Sequence, residues 1–374
     1  EEAAVPGREG EEEEGGRVGR RVGVVPECGT ETGPEGELEP FQEPSPEEEG
    51  GCLQEEVHTQ VSGGGYMRFV LSGQRHGLNR FLPYPTARNH MTDRKKTSEP
   101  GIIRLREKGK VAVRGKIPAG VMTAPQMAAV ARIAEEFGDG TVGLTTRLNI
   151  EIPGIDRRDA GAVAKRLREA GIEPGSTGAA LRSVVACKGT VCRHGCCDTQ
   201  GIARAIEEQY GGCVLPWKLK IAVTGCPNNC ARVQSNDIGI MGRRFPAFGA
   251  GECNGCGACE TVCREGAVRV VDGEARYTEE ACAGCGDCIA VCPTEAIGVA
   301  AEGLRFSIGG RSGRVVRDGV EADGLAGEEE GAAVVGRLLD YFRENARPGE
   351  RLGDLMERAG VEEVFAAAGM RPRR

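Results

Sequence analysis

CNGCGACETVCREGAVRVVDGEARYTEEACAGCGDCIAVCP (253–293) is the stretch from which the chain is best read. Cys253, Cys256, Cys259 and Cys263 follow the spacing C-x2-C-x2-C-x3-C. Cys282, Cys285, Cys288 and Cys292 repeat it 29 residues later, with Pro293 after the last. Three thiolates separated by two residues each can wrap a tight loop around one iron–sulfur cube. The fourth sits too far round to reach the same cube and ligates its neighbour. Cys253, Cys256, Cys259 and Cys292 are therefore expected on one 4Fe–4S cluster, and Cys282, Cys285, Cys288 and Cys263 on another. Glycines at 255, 257, 284 and 286 let backbone amides approach the sulfides. Zinc held by four cysteines at a time is the competing reading, and two complete repeats in tandem argue against it.

This is the signature of bacterial two-cluster ferredoxins, so residues 247–300 are expected to form such a domain. It implies electron transfer and names no substrate. One departure is Arg264, where the first repeat often carries proline; it weakens a turn preference and leaves the ligands intact.

Among 374 residues there are 17 cysteines, clustered as in metal sites rather than spread as in disulfide frameworks. Thiolate-ligated clusters suit a reduced, cytoplasmic compartment. No stretch approaches the roughly 20 apolar residues of a membrane span, and the start shows no charged and apolar leader pattern, so secretion is not expected. Residues 1–60 hold 18 Glu and 4 Arg, a net of −14 against −8 for the whole chain, so the remainder is mildly basic. A basic body suits a small anion or an acidic partner. With no Lys/Arg run interleaved with aromatics, nucleic acid is not expected. Residues 1–90 read as a disordered acidic tail or a mis-called upstream extension, with ordinary foldable sequence from Met91 onward; Cys28 and Cys52 in it receive no role.

From residue 108 the pattern is regular. Val111–Ile117 reads as a strand. Thr123 with Gln126 is a capping box, and Met127, Val130, Ile133, Ala134 and Phe137 recur at helical spacing up to Gly138. Residues 141–152 are β-rich, and a second helix runs from Ala160 to Ala170. Together they predict a β-α-β-α unit over 108–175. Near the end, 328–345 is amphipathic, and a shorter helix is expected from Leu352 to Ala367.

A second cysteine block holds RSVVACKGTVCRHGCCDTQGIA (182–203) and LPWKLKIAVTGCPNNCARVQSNDIGIMG (215–242). Four thiolates in two close pairs, Cys187/Cys192 and Cys226/Cys230, suffice for a third cube. Lys218 and Lys220 alternate on an expected strand, so both point to one face. TGCPNNCA…NDIGIMG and RSVVAC…C…DT resemble the two cluster motifs of sirohaem-dependent nitrite and sulfite reductases. GKIPAGVMT…FGDGTVGLTTRLNIEIPGI (115–155) is similar to the ferredoxin-like half-domain of that family. The resemblance covers about residues 108–370. The order of parts, with a ferredoxin domain inserted after NDIGIMG, is most similar to the C-subunit group of anaerobic sulfite reductases.

The resemblance implies an α+β fold: the half-domain, and a sirohaem/4Fe–4S domain from 178–245 and 301–370 interrupted by the insert. It implies sirohaem and three 4Fe–4S clusters, with Cys230 bridging cube and haem iron. It also implies reduction of sulfite to sulfide, electrons passing through the inserted ferredoxin domain, at an anion site built from Arg147, Arg182, Lys218 and Lys220. Lys116 falls near the haem in relatives. Asp198 and Thr199 match a DT that shapes the haem pocket, although capping a following helix is an equal account. The first pair is usually C-x5-C and here is C-x4-C, so Cys196 or Cys197 could replace Cys192 as a ligand; otherwise these two and Cys213 read as buried small hydrophobes. A sirohaem nitrite reductase, and an electron-transfer protein without sirohaem, are the alternatives. No Gly-rich dinucleotide fingerprint follows a strand, so a nicotinamide or flavin site is expected on a separate electron donor. One half-domain and one cluster motif pair per chain imply at least a dimer, homomeric or with a homologous or electron-donor subunit. In it the basic residues would face the sirohaem held by the partner's Cys230.

Overall fold

The computed structural model describes residues 100–249 and 251–373; the expected acidic tail, 1–90, lies outside the described residues. The fold is mixed α+β. Its first sheet carries β1 (Ile102–Arg104), β2 (Lys110–Gly115), α1 (Ala124–Phe137), β3 (Gly143–Leu144), β4 (Ile150–Asp156) and α2 (Ala160–Glu169). The strands lie in the order β1-β2-β4-β3, antiparallel throughout. This extends the expected β-α-β-α pattern: β1 precedes it, and the β-rich run folds back as a hairpin. The hairpin turns because Leu148 adopts a φ of 60° and the Thr145 and Asn149 backbones close on each other at 2.9 Å, which leaves Arg147 at the tip.

Helix α1 starts at the capping box: Thr123 accepts from the Gln126 amide, and the Gln126 side chain accepts from the Thr123 amide at 2.9 Å. Val130, Ile133 and Ala134 pack on Val113, Ile150 and Ile152. Met127, expected on the same face, is 61 % exposed. The helix meets the sheet at its other end, where Gly138 lies so close to Ile152 and Pro153 that a Cβ would sit 2.7 Å from the Pro153 carbonyl.

The second sheet begins with β5 (Val185–Ala186), crosses over through α3 (Thr199–Tyr210), and continues as β6 (Ile221–Thr224) and β7 (Ile238–Phe248). A small lobe follows: α4 (Ala258–Val262), β8 (Val268–Val271), β9 (Glu274–Tyr277) and α5 (Asp287–Ala290). The chain returns as β10 (Ile297–Ile308) and β11 (Val320–Glu321), then α6 (Gly331–Asn345), α7 (Leu352–Ala359) and α8 (Val361–Ala367). The order is β11-β10-β7-β6-β5, with β5, β6 and β7 parallel and β7, β10 and β11 antiparallel. Parallel neighbours need a crossover, and α3 supplies it.

Phe306, Ile221, Ile238 and Ile240 of this sheet meet Ile206 of α3 and Val335, Leu338 and Phe342 of α6 in one core. The final helix expected from Leu352 to Ala367 is broken in two, because Gly360 takes a φ of 111° that helical residues cannot share. Among the described residues no helix is long and apolar enough to cross a membrane.

Asp237, just ahead of β7, ties the sheet to the C-terminal helices. Its buried carboxylate accepts from Arg351 Nε at 2.9 Å and Nη2 at 2.6 Å, and from the Lys220 amide at 2.8 Å. The Gly309 amide at the end of β10 donates to its carbonyl at 2.8 Å. Arg351 and Asp237 side chains are 4 % and 0 % exposed. Removing one partner strands a buried charge, whereas neutralising both does not. Asp237→Ala is expected to cost about 3–5 kcal/mol in denaturant unfolding. Asp237→Asn with Arg351→Met, which keeps an acceptor for Lys220, is expected to recover more than half of that loss.

Candidate active site

Strands β5 and β6 run parallel in register, Val185 opposite Ala222 and Ala186 opposite Val223, so their C-terminal ends release two loops side by side. Cys187 follows β5, and Cys226 follows β6 by one glycine. The Cys187 amide donates to the Val223 carbonyl at 3.1 Å. Its sulfur accepts from the Gly225 amide at 3.2 Å and lies 3.6 Å from the Thr224 hydroxyl. Glycine makes this approach possible: a Cβ on Gly225 would stand 2.9 Å from the Gly189 Cα, and one on Gly195 would stand 2.0 Å from the Gly189 carbonyl.

Asp198 and Thr199 brace the same loop. Asp198 caps α3, accepting from the Gly201 amide at 2.9 Å and the Thr190 hydroxyl at 2.6 Å. The buried Thr199 hydroxyl donates to the Cys187 carbonyl at 2.7 Å.

The two loops enclose a cavity of about 630 Å³ lined by Cys187, Cys192, Cys226 and Cys230 together with Arg147 and Lys220. Arg147 arrives from the β3–β4 turn. Its Nη1 donates to Asn236 Oδ1 at 3.0 Å, and its Nη2 to the carbonyls of Ser183 at 2.7 Å and Ile221 at 2.8 Å. Its Nε is buried with no protein acceptor. Burial lowers the guanidinium to about 10. Lys220 is lowered by burial and then by the Arg147 charge.

Three other expected basic residues lie outside this cavity. Arg182 donates to the backbone carbonyls of Ser176 and Gly178. Lys218 sits 5.9 Å over the Trp217 ring, lowered by burial and by the neighbouring Arg351, Arg182 and Arg311 charges. The two lysines flank a buried Leu219, as alternation requires, but β6 proper starts only at Ile221. Lys116 is ion-paired with Glu207 at 3.6 Å.

Of the cysteines that could replace Cys192, Cys196 donates to the carbonyls of Cys285 at 3.4 Å and His194 at 3.7 Å, and Cys197 to that of Thr224 at 3.9 Å. Burial pushes these thiols up to about 11 and about 12. Cys213 packs on the main core. Sequence reasoning passed over Asn236, which orients Arg147, and Gly225; the tight GCPNNC and QSND runs were the available signals.

In the lobe between β7 and β10, one cavity of about 500 Å³ is lined by Cys253, Cys256, Cys259 and Cys292. A second is lined by Cys263, Cys282, Cys285 and Cys288, and also by Cys226 and Asn228 from the loop after β6. Gly255, Gly257, Gly284 and Gly286 all take φ between 67° and 77°. The Gly284 amide donates to the Cys282 sulfur at 3.3 Å. Among the described residues no three His, Cys, Asp or Glu side chains converge on a single-ion site; the sulfurs ring cavities instead. The lobe is held to the sheet by His194 Nδ1 with Asp287 Oδ1 at 3.0 Å and by the Arg244 amide donating to the Gly284 carbonyl at 2.9 Å.

A family model described as the nitrite and sulphite reductase 4Fe-4S domain matches residues 177–373, and one described as the nitrite/sulfite reductase ferredoxin-like half domain matches 103–170. The coenzyme F420-dependent sulfite reductase of Methanocaldococcus jannaschii is 40 % identical over 261 residues, 68 % of this chain and 42 % of that protein. The C-subunit of the anaerobic sulfite reductase of Salmonella typhimurium is 34 % identical over 176 residues, 43 % of this chain and 52 % of that one. The chain thus spans about half or less of these relatives. The nitrite reductase large subunit of Klebsiella oxytoca is 33 % identical over 147 residues, 39 % of this chain and 15 % of that protein. Among solved structures, dissimilatory sulfite reductase I shares the fold at a TM-score of 0.59 and 19 % identity, covering 70 % of this chain and 69 % of its own. With more than half its length matched by one family model, the chain belongs to the nitrite and sulphite reductase family.

Proposed function

We propose that the chain reduces sulfite to sulfide with sirohaem and a 4Fe–4S cluster held in the cavity between the two cysteine loops. Electrons arrive through the lobe at 249–296, a two-cluster ferredoxin module that brings the total to three cubes. The observation that carries this reading is the convergence of Cys187, Cys192, Cys226 and Cys230 with Arg147 and Lys220 on one cavity. The residues fit the cofactors in two ways. Amide and hydroxyl donors converge on the Cys187 sulfur, as a thiolate ligand needs. The buried Arg147 Nε faces no acceptor that the protein supplies. When bound, sirohaem joined to a cube supplies single-electron reduction of an oxyanion whose oxygens leave as water.

The chain's own groups divide the remaining work. Cys187, Cys192 and Cys226 would hold the cube, and Cys230 would serve both the cube and the sirohaem. Arg147, fixed by Asn236 and two carbonyls, keeps its charge at neutral pH and binds the dianion. Lys220, with its ammonium lowered, gives up a proton from Nζ to a departing oxygen more readily than a solvated lysine. Arg182 and Lys218 add positive potential outside the cavity, where they would attract the carboxylates of a bound sirohaem. Asp198 and Thr199 hold the Cys187 loop, and Lys116 ties the half-domain to α3 through Glu207.

The electron donor is a cytoplasmic protein bearing a nicotinamide or flavin. Nitrite is the second substrate reading, favoured by the similarity to the Klebsiella oxytoca protein; steady-state kinetics with both anions separates the two. A visible spectrum of anaerobically purified protein tests the cofactor: Soret and red bands are expected, and their absence after sirohaem supply would leave only an electron-transfer role.

Three outcomes follow from these assignments. Cys230→Ser is expected to abolish sulfite reduction and disturb sirohaem while both lobe clusters persist, read by EPR and iron content; retained activity overturns the bridge. Cys285→Ser is expected to slow turnover with a protein donor far more than turnover with a small dye that reaches the haem directly; equal losses would make the lobe structural. The β3 edge, with Leu144 84 % exposed, leaves an apolar strand unpaired among the described residues, so light scattering is expected to report at least a dimer. Because Arg147 and Lys220 share a cavity with Cys230 of their own chain, that dimer does not require their site to be shared.

A further inference from the structure

Arg264 stands where the first cysteine repeat often carries proline, and its side chain reaches out of the lobe. Its Nη1 donates to Asn228 Oδ1 at 2.8 Å. Arg264 follows Cys263, whereas Asn228 lies between Cys226 and Cys230 on the active-site loop. Cys226 and Asn228 line the active-site cavity, and both also line the inner lobe cavity together with Arg264, Cys263, Cys282, Cys285 and Cys288. Other contacts hold this junction too: His194 with Asp287, Cys196 with the Cys285 carbonyl, the Arg244 amide with the Gly284 carbonyl, and Arg243 Nη1 with the Ala283 carbonyl. Arg243 thus brings a second guanidinium to the Cys282–Cys285 loop, but Arg264 is the arginine in the lining of the inner cavity itself. A proline at 264 would supply neither the bond nor the charge.

We propose that Arg264 is a positioning residue for electron transfer out of the lobe, fixing the inner cluster against the Cys226 loop and favouring its reduced form. This rests on the reading that the lobe holds two 4Fe–4S clusters. In the step concerned, one electron leaves the reduced inner cluster, ligated by Cys263, Cys282, Cys285 and Cys288, which is thereby oxidised by one electron. The cluster of Cys187, Cys192, Cys226 and Cys230 is reduced by that electron, and no bond or proton moves with it. A one-electron donor, reduced viologen in the test, refills the lobe. Reduction adds negative charge to the inner cluster, and a guanidinium in the same cavity stabilises it. The outer cavity has Glu252 and Glu274 in its lining and no Lys or Arg, so the effect is local to the inner cluster.

EPR-monitored redox titration of reconstituted Arg264→Pro, Arg264→Gln and Arg264→Lys chains tests this. The inner midpoint is expected to fall in the Pro and Gln variants and to return toward wild type in Arg264→Lys. The outer midpoint, assigned by its loss in Cys256→Ser, is expected to stay in place. Turnover with electrons supplied through the lobe is expected to drop several-fold in the Pro and Gln variants, with the KM for sulfite unchanged. Should Arg264→Pro fail to assemble, Arg264→Gln decides. A wild-type iron content short of three cubes would overturn the two-cluster reading itself. Full iron content with an unshifted inner midpoint and unchanged turnover overturns the role of Arg264 alone.

Discussion

A carboxylate without solvent is tolerable only when donors surround it; that of Asp237 has three, and the residue's backbone carbonyl has a fourth. Two come from Arg351 at the start of α7, one from the Lys220 amide, and one reaches its carbonyl from Gly309 at the end of β10. Three distant parts of the chain are thereby brought to one point. The Lys220 backbone cannot slide along β7 without breaking this set, so the direction of its side chain is inherited from the ion pair. Asn236, the preceding residue, accepts from Arg147. Arg147 and Lys220, two of the cations that line the cysteine cavity beside Lys188 and Arg232, therefore take their placement from adjacent residues of one short segment.

The second determinant is strand direction. Parallel neighbours end at the same edge of a sheet, and loops leaving that edge stay together. Cys187 and Cys226 meet because β5 and β6 are parallel, and the glycines beneath them remove the side chains that would keep the loops apart. The antiparallel half of the sheet, β7 with β10, points the other way in function: it carries the lobe outward and leaves the cysteine loops to the parallel half.

Legibility in the sequence followed range. The α1 capping box spans four residues and is plain from the residues alone. The repeated cysteine spacing divided eight sulfurs into two sets, and those sets line two separate cavities. Where the deciding contact is distant, the sequence was mute. Asp237 and Arg351 are 114 residues apart, and neither stands out in its own neighbourhood. Cys192 was the expected ligand with Cys196 as its substitute; Cys192 lines the cavity, whereas Cys196 turns its thiol to the carbonyls of Cys285 and His194. Lys218 and Lys220 flank the buried Leu219 ahead of β6, and alternation carries no information on how far along that side the cavity extends. The break at Gly360 was hidden by an apolar pattern that continues across it.

Strands β7 and β10 pair continuously in sequence from Ile238 opposite Ile308 to Phe248 opposite Ile297, with one irregularity between Val299 and Ala301. Among the described residues the lobe therefore lies directly beyond the last pair of the hydrogen-bonded ribbon, Phe248 and Ile297. A tethered carrier would shuttle, with its rate set by how often it swings into contact. If the lobe carries electrons as proposed, a head mounted on a two-stranded ribbon has no such search to make; its distance to the sheet is fixed when the ribbon folds, like the gap in a spark plug. The bulge is where that gap would be altered, since a residue added or removed there would retwist the ribbon and re-aim the whole head at once.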